Sequence, residues 1–358
     1  MQRTVFLTIF FLSIVYVSKA QVTYSISGIV KEKTGEILPG ATIFLDGSEK
    51  KTYSNDKGNY NLSKLAPGTY ELTIHFVGYK SYRQNVIIQD QSLTVHVVLD
   101  PLETTLKEVV ITNSVSKNKY MQMFTKSFIG DTENGLSCTI LNPEIIRFSE
   151  EQTIYVVAKT NDFLEIENKN LGYRIKYLLR DFRLNRASLV ASFTGECIFE
   201  NLKGTKEEAI IWDENRKIAY YGSLMHYLRS LYNNSAEMDG FFFYSVKNAK
   251  SASPKIDTRR LLTKDISTAQ DSNFLAISFP QPLFVFYNNA NDIANLTLPD
   301  ESKITEALKK QVGSTIELHL DKAVVDTKGS LVDYRSFLIK GYWGVRRIGD
   351  QLPFEYSP

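Results

Sequence analysis

Side chains that commonly carry catalysis or bind metals are sparse in this sequence. It has four histidines and two cysteines among 358 residues. A zinc hydrolase takes its metal ligands from histidines and a carboxylate, commonly starting from a His-x-x-Glu pair. None of His75, His96, His226 and His319 has a glutamate three residues on, so no metal site is expected. The sequence also lacks a Gly-x-Ser-x-Gly elbow, a glycine loop ending in Lys-Ser/Thr and a Cys-x-x-Cys pair, so no cofactor is implied. A Ser/His/Asp or carboxylate-pair site built from distant residues leaves no local signature. A hydrolase with such a site in the C-terminal half therefore stays open as the alternative to a non-catalytic protein.

Three local constellations remain. Trp343 with Arg346 and Arg347 either forms an aromatic and guanidinium contact surface for a sugar or partner, or divides between core and ion pairs. His226 beside Tyr227 is either a polar site or an ordinary satisfied histidine. Cys138 and Cys197 either pair, closing a loop of about 60 residues, or stand as two separate thiols. Two cysteines in a chain of this size do not make a disulfide framework.

The elements that would position these residues begin after an atypical start. Arg3 precedes the apolar stretch Thr4 to Val17, and Ser18-Lys19-Ala20 comes next. About 14 apolar residues are too few to span a bilayer, so residues 1–20 read as a secretory signal cleaved between Ala20 and Gln21. Residue 21 is not cysteine, which argues against a lipid anchor. Removing Arg3 and Lys19 leaves 40 basic and 40 acidic side chains, a formal net charge of zero. No basic block stands out, so nucleic acid is not an expected partner. No later apolar run approaches about 20 residues, so no transmembrane segment is expected in the mature chain.

Between residues 21 and 100, alternating runs separated by turn signals suggest a sandwich or barrel. Tyr70, Leu72, Ile74 and Phe76 point to one face, with Glu71, Thr73 and His75 opposite. Leu93, Val95, Val97 and Leu99 repeat the pattern and leave His96 outside. In Asn55-Asp56-Lys57-Gly58, Asp56 is expected to bond its own backbone and Gly58 to take positive φ. Ser27-Gly28-Ile29-Val30, Leu38-Pro39-Gly40-Ala41-Thr42-Ile43, Ser54 to Tyr60, Leu65 to Tyr70 and Phe76-Val77-Gly78-Tyr79 together resemble the carboxypeptidase-regulatory-like domain. That resemblance implies a seven-stranded, transthyretin-like β-sandwich of carbohydrate-binding-like fold, whose motif residues hold turns rather than catalyse. The domain is often found at the start of outer-membrane TonB-dependent transporters of Bacteroidota.

Residues 101–114 read as a linker, and Leu106 to Thr112 is similar to the segment that leads into the plug of those transporters. The chain beyond Thr112 is too short for a barrel of about 22 strands at about 10 residues each, so no transporter is expected. Residues 115–358 read as an α+β domain, mostly antiparallel sheet, with one long helix over Lys206 to Tyr232. Ile218, Tyr221, Leu224, Leu228 and Leu231 would form that helix's buried stripe, and Thr205 with Glu208 a capping box. Leu171 to Ile175, Ser223 to Leu231 and the Gly341-Tyr342-Trp343-Gly344 tail are similar to the partner domain of periplasmic proteins with this architecture, which implies no activity.

The chain as a whole is expected to be mainly β and exported, residing in the periplasm or associated with the outer membrane. Its expected role is non-catalytic binding or assembly in the cell envelope, with a protein or glycan as partner.

Overall fold

The computed structural model describes residues 23–102, 114–249, 255–288 and 313–358. Ala20, Gln21 and nearly all of the expected linker lie outside the described residues. The chain is mainly β, built from antiparallel sheets with few helices.

The N-terminal unit is a two-sheet sandwich. One sheet holds β1 (Tyr24–Glu32), β4 (Asn59–Leu65), β7 (Leu93–Thr94) and β8 (Val97–Leu99). The other runs in the order β3 (Lys51–Tyr53), β2 (Thr42–Leu45), β5 (Gly68–His75) and β6 (Tyr82–Ile88). The last two segments of the first sheet are one sequence run interrupted at Val95. The Val95 carbonyl accepts from the Tyr60 hydroxyl at 2.7 Å and lies where a Cβ on Gly28 would be, so only glycine permits the approach. The turn before β4 differs from expectation. Asn55 Oδ1 accepts the Lys57 and Asn59 amides, whereas exposed Asp56 makes no such bond.

Strand β5 shows the largest departure from the alternating pattern. Thr73 and His75, expected on a polar face, are both buried. A second layer covers that face: the Phe163 ring lies 5.1 Å from His75 and 5.6 Å from Phe44. His75 Nε2 stands 3.4 Å from Asp162.

That second layer is a six-stranded sheet. It contains β9 (Cys138–Ile140), β10 (Arg147–Glu151), β11 (Tyr155–Lys159), β12 (Leu164–Asn168), β13 (Tyr173–Asn185) and β14 (Ala191–Asn201), with β13 central. Helix α1 (Ser114–Phe128) covers one side, stacking Phe124 and Phe128 on each other and edge-on to Phe182 and Tyr177. A third layer combines β15 (Phe241–Lys247), β16 (Lys255–Leu261), β19 (Leu283–Tyr287), β20 (Gly313–Leu318) and β22 (Phe337–Gly341). Beside it stands a small sheet of β17 (Ser267–Ala269), β18 (Phe274–Ile277) and β21 (Ala323–Asp326). The second and third layers have separate apolar cores, and the tail returns Ile348, Leu352 and Tyr356 to the second.

The single helix expected over Lys206 to Tyr232 is two. One helix (Lys206–Tyr220) starts at the Thr205–Glu208 capping box, and the other (Leu224–Tyr232) starts where Ser223 accepts the His226 amide. Gly222 breaks them apart at φ +77°. The apolar stripe divides with them: Leu228 and Leu231 are buried, but Ile218 is 75% exposed.

Candidate functional site

The three layers meet at the short loop after β2. The Gly47 amide donates to the Cys197 carbonyl at 3.0 Å, and the Cys197 amide donates to Asp46 Oδ1 at 2.7 Å. The Phe199 amide reaches the Ser48 carbonyl at 2.9 Å, so the loop adds to β14 as a fragment of strand. From the C-terminal tail, the Phe354 amide donates to the Gly47 carbonyl and Glu355 accepts the Glu49 amide, each at 2.9 Å. A second attachment comes from the turn after β21. Buried Asp326 accepts the Thr69 amide at 2.9 Å and pairs with Lys328, whose ammonium lies 4.1 Å from the Tyr70 ring centre. Gly68 sits beneath that pair at φ +148°, and a Cβ there would overlap Lys328 Nζ. Arg229 closes the arrangement by donating to the carbonyls of Lys328, Tyr356 and Phe354. Behind it, fully buried Glu196 is held between Arg83 at 2.8 Å and Arg180 at 2.7 Å.

These attachments enclose a cavity of about 530 Å³, lined from all three layers. That size suits a small organic ligand. Phe193, Leu224 and Met225 give it apolar walls, and Asp46, Glu71 and Glu355 bring carboxylates. Burial pushes the Asp46 carboxyl up to about 7, with repulsion from Glu71 and Glu196 adding to the effect against two backbone amides. Burial and Glu196 likewise hold Glu71 above the ordinary carboxylate range. Burial raises Glu355 too. Two wall groups lack partners among the described residues. Thr69, 5% exposed, has no bond at its hydroxyl, and neither has Asp350 Oδ2 on a side chain 4% exposed.

Residues 26–111 match the model of the CarboxypepD_reg-like domain. The N-terminal sandwich is a carboxypeptidase-regulatory-like domain. No curated protein matches the chain. Among solved structures, a type II cohesin–X-dockerin complex from Acetivibrio cellulolyticus is 17% identical over 21% of this chain and 56% of that one, with a TM-score of 0.19. A minor pilin of Streptococcus agalactiae is 16% identical over 23% and 46%, with a TM-score of 0.19. A chlorocatechol 1,2-dioxygenase from Pseudomonas putida is 13% identical over 22% and 60%, also at 0.19. This chain thus spans less than two thirds of each of the three.

The regulatory-like domain supplies one wall of the cavity; of the residues singled out from the sequence, Trp343, Arg346 and Cys197 line it, and Arg347, His226 and Cys138 do not. Trp343 is 8% exposed: its indole donates to the Gly222 carbonyl at 2.7 Å, and its ring packs 5.2 Å from Tyr227. It is a core residue, which removes the aromatic member of the expected contact surface, although it is among the residues that line the cavity. Arg346 pairs with Asp350 at 2.9 Å, and Arg347 lies 5.9 Å from the Phe193 ring centre. Cys138 and Cys197 are free thiols, and burial pushes Cys138 up to about 12 and Cys197 well above its usual range. His226 is buried among aromatic rings, accepts the Gly222 amide at Nδ1, and is pushed down by burial to about 4. It helps shape the break between two helices and does not line the cavity. Among the described residues no group of three or more His, Cys, Asp or Glu could hold a metal ion, and no helix is long and apolar enough to cross a membrane.

Asp46, Glu71, Asp350 and Arg229 carry no sequence signal of their place here. Their place depends on partners distant in the chain: Asp46 accepts from Cys197, Glu71 is raised by Glu196, Asp350 accepts from Thr132, and Arg229 donates to Tyr356.

Proposed function

We propose that this is an exported, non-catalytic binding protein of the cell envelope, whose regulatory-like domain is built into the binding site rather than tethered beside it. The observation that supports this reading is the junction cavity itself, whose wall includes Thr69 and Asp350, each with a buried oxygen that has no hydrogen-bond partner among the described residues. An unbonded buried polar atom costs roughly 1–3 kcal/mol, a cost that turning either side chain toward a ligand donor would offset. The signal-like start at Arg3 to Ala20 supports export.

Native mass spectrometry of protein purified from envelopes tests the binding reading. The wild type should carry a small adduct. Thr194→Trp, at the exposed lip of the cavity, should lose it with its melting temperature unchanged. An adduct retained by the variant, or none in either protein, overturns the proposal.

A second reading, a hydrolase, is favoured by one observation: a carboxyl pushed up to about 7 beside a second carboxylate in a cleft. Its acids would then come from the sandwich, not the C-terminal half. Hydrolysis of a glycoside or ester by the wild type, abolished in Asp46→Asn, would establish it.

A further inference from the structure

We propose that the cavity takes an organic cation, an ammonium or guanidinium group on an apolar body, seated against Asp46 and Glu71. This rests on the binding reading above and names the class of ligand for the same site.

Charge complementarity supports it first. Each cationic side chain lining the cavity already faces an anion: Arg180 on Glu196, Lys328 on Asp326, and Arg346 on Asp350. Asp46, Glu71 and Glu355 line the same space without an ion-pair partner among the described residues. The groups facing Asp46 are Glu71 from β5, Glu196 and Cys197 from β14, and Tyr177 from β13. None of these is a cation. The cations that act on Glu71 are Arg180 and Arg83, both paired with Glu196, and burial together with Glu196 outweighs them there. A buried anion without a counter-ion is costly, and a ligand cation would supply one.

The second support is independent of these acids. The Thr69 hydroxyl and Asp350 Oδ2 belong to two residues of the same wall, are buried, and have no hydrogen-bond partner among the described residues. A side-chain rotation that turned either toward the cavity would let it accept from a ligand that brings several N–H donors. Third, Phe193, Leu224 and Met225 leave part of the wall apolar, so a compact inorganic cation would waste that contact.

A small amine and the lysine side chain of a peptide share this chemistry. Isothermal titration calorimetry on the mature full chain separates them with four probes: phenethylamine, neutral 2-phenylethanol, doubly capped Gly-Lys-Gly, and its acetyl-lysine counterpart. At least one cationic probe should bind about tenfold or more tighter than its neutral counterpart, a difference of about 1.4 kcal/mol. Whichever binds identifies the source. Asp46→Asn and Glu71→Gln should each weaken it about tenfold, and either variant serves if the other does not fold. Near pH 6.5 the apparent heat should change with the buffer's ionisation enthalpy, because the cation draws a proton off Asp46. Equal binding of cationic and neutral probes overturns the cation assignment and leaves the binding cavity standing. Cation binding that survives both carboxyl substitutions overturns the placement. If no probe binds up to about 10 mM while the wild type still carries an adduct that Thr194→Trp loses, the ligand class is wrong and the site is not.

Discussion

Asp46 makes the clearest prediction at the scale of single residues. Its carboxyl titrates at about 7 in the folded protein and near 3.8 when unfolded. The folded state therefore holds a proton that the unfolded chain has already lost across that interval. Stability contributed by this group is present at low pH and is lost as pH rises from about 4 through 7. Glu71 and Glu355 shift the same way. The melting temperature should accordingly fall between pH 5 and pH 8, and Asp46→Asn should flatten that slope and be the more stable protein at pH 8. An unchanged slope in the variant would remove Asp46 as its cause. At the turn before β4, Asn55→Ala should lower stability by about 1 kcal/mol, while Asp56→Ala should be near neutral. Urea midpoints of the two variants check this. The sequence showed that a side chain holds this turn, but two adjacent residues of the same hydrogen-bonding type were available. Only the backbone path selects the first.

At the scale of elements, Trp343 decides between surface and core. Its ring is seated on Tyr227 and its indole is bonded to Gly222, so Trp343→Ala should lower stability by about 3–5 kcal/mol. Equilibrium denaturation measures it, and a loss under about 1 kcal/mol would return the residue to the surface. Helix α1 makes a parallel case. Tyr120, Phe124 and Phe128 recur at intervals of four and are all buried, a signal present in the sequence but short and flanked by polar residues. The break at Gly222 was hidden for the opposite reason: a helical period runs through it from Ile218 to Leu231, and a lone glycine inside such a pattern is usually tolerated. Tertiary packing overrode the period, since the second helix is needed in the third layer and the first lies along the second.

At the scale of the molecule, the regulatory-like domain has its own closed core, from Ile26 and Val30 through Leu72 to Val97 and Leu99. Residues 22–101 alone should therefore unfold cooperatively, yet less stably than within the full chain. They would expose Phe44, Thr73 and His75, which the second layer covers. Circular dichroism melts of the two should differ by several degrees, and equal midpoints would mean that the seam contributes nothing. Glu196→Ala tests the seam from the other side. It leaves Arg83 and Arg180 facing each other without their anion, at a cost of about 3–5 kcal/mol.

By itself the sequence determined the sandwich, because turn residues and alternating faces are local, and Gly28 and Tyr60 serve a contact inside the sandwich itself. It also determined that β14, β15 and β19 are strands and that familiar catalytic motifs are missing. Which face of β5 meets solvent was settled only when a second sheet covered it, since alternation records one partner and cannot report two. The cavity was likewise settled only in three dimensions. Asp46, Glu71, Lys328 and Asp350 come from separate segments of the chain, and they line one cavity, with Asp46 and Glu71 repelling each other, only once three layers are packed together.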